Sequence, residues 1–457
     1  MPALAITALA WPTLAIILLA ALPLGANRHV SWLFMALAVL ALLTVTVPID
    51  WTRGARSGVV AQRLAPAAVL FAGVVLWGWL QTVPLPLPTG WAHPVWDGVE
   101  RLGLAAVGGP TISADPQEGV HRVLRLTAYG AAFWLVARAA IDGDRARRML
   151  GTIAVFSTVL ASYGLFARSG TNPILGEELT RPGIVQATFV NRNNYATYAG
   201  FGVIANLAML ATVFGPMPSG RDRRRWIRAV LSGFFNHGWV FALGTLVCLG
   251  AAFLTLSRGG MVSILGGLLV FVLAYRQRRD GTGALLLALA GAIVAFALYF
   301  LSSGVLSRIL ASSSEALRFA IYPEVWAQIL ERPWLGHGLG GFHDAFRERV
   351  TERAAVGEWD FAHSTWLENV HALGIPAAAA LFTALGLIVL AMVRGVRVRR
   401  RNRALPAAGL GVATIAALHS ILEFSLQIPA CAGLFAVLLG ITWGQSHTSE
   451  ERGVRTG

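Results

Sequence analysis

The 457-residue chain alternates long apolar runs with short polar or charged breaks. A helix that crosses the hydrocarbon layer needs ~20 consecutive apolar residues. Windows of about that length recur near residues 4–24, 30–48, 66–84, 124–140, 149–167, 195–214, 238–256, 259–275, 283–302, 374–393, 405–422 and 428–444. The pattern predicts twelve transmembrane helices in an all-α, polytopic membrane protein, with residues 1–457 forming one integral membrane domain.

The breaks give this array a direction. All 37 basic residues are arginine, and they collect in RDRRRWIR (221–228), RQRR (276–279), RGVRVRRRNR (394–403), WTRGARSGVVAQR (51–63) and DRARR (144–148). Short connections rich in arginine lie on the cytoplasmic side of a membrane. With an even number of spans, both termini are then expected in the cytoplasm. The N-terminal apolar segment has no basic residue before Arg28 and reads as a retained first helix rather than a signal peptide.

Composition supports the membrane assignment: 56% of residues are hydrophobic and 13% charged, too few charges for a soluble chain of this length. The net charge of +14 reports topology and affinity for anionic lipid headgroups, so nucleic acid is not needed to explain it. Cys248 and Cys431 both fall inside apolar runs; they form no disulfide framework and lack metal-ligand spacing.

The opposite side receives four connections of interest. Residues 85–122 contain PLPLPTGWAHPVW, and 168–194 end in FVNRNN. LSRGG (256–260) is a tight turn between two helices. The fourth, 303–373, is a large loop with six Arg and nine Asp or Glu, net acidic on a basic protein. It carries helical spacing at Ile321, Val325 and Ile329, then the glycine-rich GHGLGGF (336–342). An ordered, built loop is expected.

Candidate chemistry gathers on this side. In FVNRNNYA (189–196), Asn193 or Asn194 can cap a helix, and Arg192 can anchor to headgroups or hold a substrate. Arg258, in Ser257-Arg258-Gly259-Gly260, can snorkel to the interface. Alternatively, with glycines beside it that allow close approach, its planar fork can bind phosphate oxygens. Arg318 is a surface ion-pair partner or a further phosphate contact. His337, between two glycines, reads as structural, and the GHGLGGF pattern lacks the preceding strand of a nucleotide loop.

In DFAHSTWLENVHALGIP (360–376), His363 is either a solvated interfacial group or a general base for a hydroxyl. His371 lies eight residues on and shares its face if the helix starts early, while Glu368 is offset from that face. Asp142-Gly143-Asp144 has the spacing of a metal-binding carboxylate pair. It sits in a short cytoplasmic turn, where it reads as a cap, and no other carboxylate cluster suggests a metal site.

Taken in order, FVNRNNYA, LSRGG, PWLGHGLGGF, AHSTWLENVHALGIP and HSILEFSLQIPA (419–430) resemble the O-antigen ligase and polymerase superfamily across roughly residues 150–445. The resemblance implies a GT-C-like integral-membrane glycosyltransferase of the bacterial inner membrane, with its site facing the periplasm and no cofactor or metal. The donor would be a glycan on undecaprenyl diphosphate, and the acceptor lipid A core or a growing polysaccharide. His363 would be the base, with Arg258 and Arg192 acting on the diphosphate. Arg318, Asn191, Asn194, Glu368 and Gly338 would complete the substrate site. Glu423 stands where an aspartate is expected. A transporter or flippase for a lipid-linked or small anionic substrate is the alternative; it would place its ionisable groups near the membrane midplane.

Overall fold

The computed structural model describes residues 2–51, 56–104 apart from 85, 87 and 89, 109–170, 172–213, 228, 230–276, 291, 313–347, 359–399 and 402–447. Among them every regular element is helical. The first half comprises α1 (Pro2–Leu19), α2 (His29–Trp51), α3 (Arg56–Thr82), the short α4 (Val95–Arg101), α5 (Pro116–Ala139), α6 (Gly143–Ala167), the single turn α7 (Gly176–Leu179) and α8 (Arg192–Val213). A π-helical turn at Phe234–Gly238 leads into α9 (Trp239–Leu254), followed by α10 (Arg258–Arg276). The long loop contributes α11 (Ser313–Glu331), α12 (Phe342–Arg347) and α13 (Thr365–Leu373). The chain then returns through α14 (Ile375–Val398), α15 (Ala404–His419) and α16 (Pro429–Gly444).

Seven of the described helices are long and apolar enough to cross a membrane: His29–Thr46, Ala61–Thr82, Gly143–Ala167, Arg192–Val213, Val230–Leu254, Arg258–Arg276 and Ile375–Val398. Three more apolar helices are shorter, Ala8–Leu19, Ala404–His419 and Pro429–Gly444. The protein is therefore a multi-pass membrane protein, helical throughout its described residues, and seven of the twelve expected spans are clear among those residues. The differences have local causes. The window at 124–140 belongs to α5, whose first half carries Glu118, Arg122 and Arg125 and is too charged to count as an apolar span. The window at 283–302, apart from residue 291, lies outside the described residues.

Helix boundaries follow the capping chemistry. Asp115 accepts the Glu118 amide (3.0 Å) ahead of Pro116, so α5 starts there rather than at its apolar run. Asp142 accepts the amides of Asp144 (3.1 Å) and Arg145 (2.8 Å) and caps α6. Its carboxylate is occupied as a turn residue.

α8 is the hub, packed on α6, α9, α10 and α15. Its sequence is apolar on every face, as expected of a helix without a solvent side, and Tyr195, Tyr198, Phe201 and Ile204 are all buried. Around it α16 packs on α5, and α14 on α3. Backbone bonds from Val185 N–H to Leu254 (2.9 Å) and Ser113 N–H to Gln81 (2.9 Å) gather several helix ends at one end of the bundle. Thr188 Oγ1–H adds a bond to the Ala21 carbonyl (2.6 Å).

The glycine-rich loop locks the large loop onto this end. His337 N–H donates to His371 O (2.9 Å), Gly338 N–H to Ala372 O (2.9 Å), and Ile375 N–H to Pro333 O (2.7 Å). A Cβ on Gly336 would stand 2.3 Å from the Ala372 carbonyl oxygen, so only glycine lets the two backbones meet.

Candidate active site

His363 lies immediately before α13. Ser364 caps that helix by accepting the Leu367 amide (3.4 Å), which leaves His363 outside it with φ +50°. Left-handed backbone is uncommon for a residue with a Cβ and must be held by its surroundings. Here the restraint comes from neighbouring hydroxyls. Tyr322 Oη–H donates to the carbonyls of His363 (3.0 Å) and Ile421 (3.0 Å), Ser364 Oγ–H to Ser420 O (3.2 Å), and Thr365 Oγ1–H to Glu423 O (3.0 Å). The half-buried imidazole stands edge-on to Phe424 (5.0 Å) and Trp359 (5.6 Å).

The ring faces a cavity of about 240 Å³ lined by Asp360, Phe361, His363 and Phe424 on one side and Phe189, Val190, Asn191 and Asn194 on the other. Leu24, Asn27 and Ile428 complete the lining. Two sequence segments 170 residues apart, FVNRNN and DFAH, thus share one cavity with mixed polar and aromatic walls.

The asparagines divide their roles differently from expectation. Asn191, not Asn193 or Asn194, accepts a backbone amide at the start of α8, that of Asn193 (2.8 Å). Asn193 is then free to donate to the Glu423 carboxylate, and Asn194 accepts from Ser425 Oγ–H (3.1 Å). One turn on, Thr197 meets His419 Nδ1. Arg192 is the first residue of α8 and half-buried. Arg258 is the first residue of α10, also half-buried; a Cβ on Gly259 beside it would lie 3.2 Å from the His419 ring. The starts of α8 and α10 are therefore linked through Thr197 and His419. Arg318 lies on α11, its side chain outside the described residues.

Arg122, which the sequence did not single out, stands behind the cavity wall. Its guanidinium sits over Phe361 (5.2 Å), Phe361 stacks on Phe424 (4.4 Å, 6°), and Phe424 meets His363. The four groups form one column from α5 to the imidazole. Arg122 is held by Glu118 Oε1 (2.9 Å), Gln427 Oε1 (2.7 Å) and Glu368 Oε1 (3.5 Å). A signal was present in HRVLRL (121–126): two arginines three residues apart at the edge of an apolar run. Glu368 also accepts the Ala362 amide (3.2 Å), so it supports the wall and does not line the cavity. Burial pushes its carboxyl up to about 7, against the opposing pull of Arg122, the Ala362 amide and Arg125.

His371 and Gly338 belong to a different construction. The Ser364 cap starts α13 too late for His363 and His371 to share a helical face. His371 Nε2 instead meets Gln328 Oε1 (2.9 Å) and its ring stacks on His337 (4.2 Å, 12°). His337 Nδ1 bonds His93 Nε2 (2.9 Å) and its Nε2 bonds Gln328 O (3.0 Å). Because His93 Nδ1 accepts the Val95 amide (3.1 Å), the neutral tautomers run in one sense: His93 Nε2–H to His337 Nδ1, then His337 Nε2–H to Gln328 O. Burial first, then His337 and His93, hold the His371 imidazole well below its usual range. Gly338 lies against Ser113, where a Cβ would be 2.0 Å from the hydroxyl oxygen, and is not part of the cavity wall.

No curated protein matches the chain. Residues 243–382, which run from α9 through the large loop and His363 into α14, match the family model described as O-antigen ligase.

Proposed function

We propose that the protein transfers a glycan from undecaprenyl diphosphate to a hydroxyl of lipid A core or a growing polysaccharide, at the periplasmic face of the bacterial inner membrane. The observation that carries this assignment is the cavity shared by His363, Asn191 and Asn194, with Arg192 between the two asparagines in the chain. The acceptor hydroxyl gives its proton to the His363 imidazole as its oxygen attacks the anomeric carbon. The bond from that carbon to the diphosphate oxygen breaks, and the electron pair leaves on the diphosphate. Attack opposite the leaving group inverts the anomeric centre.

Arg258 and Arg192, with Arg318, take the charge that develops on the diphosphate. Preorganised donors in a partly dry site act strongly on such a group. Asn191 and Asn194 offer amide groups to sugar hydroxyls. Arg122 and Glu368 act through the Phe361–Phe424 stack as positioning residues for the imidazole.

The test is reconstitution of the purified protein with an undecaprenyl-diphosphate glycan and separate candidate acceptors. Transfer that disappears in His363→Ala supports the assignment, and the product's size separates a single ligation from repeated addition. Full transfer by His363→Ala at equal protein abundance would overturn the base assignment.

A further inference from the structure

α11 has apolar side chains on two opposite faces. Ile321, Val325 and Ile329 are buried with Phe342, Phe346 and Ala362. Phe319, Trp326 and Leu330 are 56, 47 and 58% exposed. These three, with Pro323, recur at helical spacing and form a stripe without a charged residue. Trp334, just beyond the helix, is 73% exposed. Scattered surface apolar residues need no explanation, but a continuous stripe ending in a tryptophan does.

Two contacts fix how α11 lies. Near its middle, Tyr322 bonds Ile421 O, two residues past the end of α15. Beyond its C-terminus, Pro333 O accepts from the Ile375 amide, the first residue of the membrane-spanning α14 (2.7 Å). Both points therefore sit where apolar helices reach the bilayer boundary. The helix between them advances ~1.5 Å per residue, so it runs along that boundary rather than away from it. Ile421 (49%) and Ile375 (41%) are themselves exposed, which continues the stripe into the lipid-facing surfaces of α15 and α14.

We propose that α11 is a membrane-surface helix, with Phe319, Trp326, Leu330 and Trp334 inserted at the headgroup–acyl boundary of the leaflet at the His363 end. Tryptophan is favoured at that depth, and a helix with an apolar stripe lies in the interface plane. Glu331, exposed and off the stripe, remains in water. The consequence reaches the cavity, because Tyr322 on the same helix holds the His363 carbonyl. The bilayer then sets the height of the imidazole over the plane in which a lipid-linked group would move. This consequence rests on the proposed role of His363; the docking itself does not.

The experiment uses the full-length protein in phosphatidylethanolamine–phosphatidylglycerol nanodiscs, with a nitroxide on single cysteines at positions 326, 330, 334 and 331. Cys248 and Cys431 are buried and are left in place. Power-saturation measurements are expected to show collisions dominated by oxygen at 326, 330 and 334, and by a soluble nickel chelate at 331. Nickel access at the three stripe positions equal to that at 331 would overturn the proposal. So would shielding from both reagents, which would mean that a protein partner or a second copy covers the stripe. Where a labelled variant fails to fold, bromolipid quenching of Trp fluorescence supplies the test. Quenching should fall in Trp334→Phe, and unchanged quenching there and in Trp326→Phe counts against docking.

Discussion

His363 and His371 lie eight residues apart and occupy opposite kinds of environment. His363 is half-buried in strained backbone, faces a cavity, and is held from behind by aromatic rings and a distant arginine. His371 is fully buried, stacked on His337 and bonded to Gln328, with no hydrogen-bond partner for its Nδ1 among the described residues. The comparison separates two uses of one residue type. A base must exchange a proton with something that comes and goes, so it needs access. A strut needs fixed partners and a single protonation state. The histidine stack ties 93, 337 and 371 to α11, so the platform that presents His363 is itself assembled by hydrogen-bonded, stacked imidazoles.

The sharpest way to break the comparison is to remove each histidine in turn. His363→Ala is expected to lower transfer by about 10²–10⁴-fold, the range for a positioned general base, with little change in thermal stability. The check is product formed per mole of folded protein in the reconstituted assay. Comparable loss of turnover in folded His371→Ala would erase the distinction between base and strut.

Arg258→Lys should be next in size, at about 10²-fold in kcat, the cost of losing a preorganised donor. Lysine keeps the charge but not the planar fork. Recovery of wild-type kcat by lysine would show that charge alone suffices at this position.

His371→Ala is expected to act on stability instead. It removes the His371 Nε2 bond to the buried Gln328 Oε1, at a cost of about 1–3 kcal/mol, read as a lower unfolding midpoint in detergent.

The smallest effects are in the pH dependence of that midpoint, where the two charged-state preferences on α13 pull in opposite directions. The folded state depresses the His371 pKa, so this contribution is present above the ordinary histidine value of about 6.5 and is lost as pH falls below it. Burial raises Glu368 to about 7, so its contribution is complete below the ordinary carboxyl value and is lost as pH rises through about 7. Glu368→Gln should flatten the alkaline side of the profile, and His371→Gln the acidic side. A Glu368→Gln profile that still falls between pH 5 and 7.5, tracked by scanning fluorimetry, would remove Glu368 as the cause.

Much of the scaffold can be read from apolar periodicity, because a span must be long and uncharged wherever it contacts lipid. That is why α2, α6, α8, α9, α10 and α14 lie close to the expected windows, and why α5, charged in its first half, starts at its Asp115 cap and not at its apolar run. The site was legible only in part. His363, Asn191 and Asn194 stood out as polar groups at the edges of apolar runs, and they do meet in one cavity. Arg122 did not stand out, since its role depends on Phe361 and Phe424, which come from two other segments. Spacing could not separate His371 from His363 because the dividing feature is the Ser364 cap, a local geometry that follows from contacts with Ser420 and Glu423.

The sequence by itself determined the class of molecule, the order of its long apolar segments within the described residues, and the gathering of polar and ionisable groups at their edges. Those properties follow from solvent preference, which each residue carries independently of its neighbours. Tertiary structure alone decided which histidine faces a cavity, which asparagine caps α8, and that an arginine on α5 backs the His363 wall. Such assignments depend on which distant backbones come within hydrogen-bond reach, and no single segment contains that information.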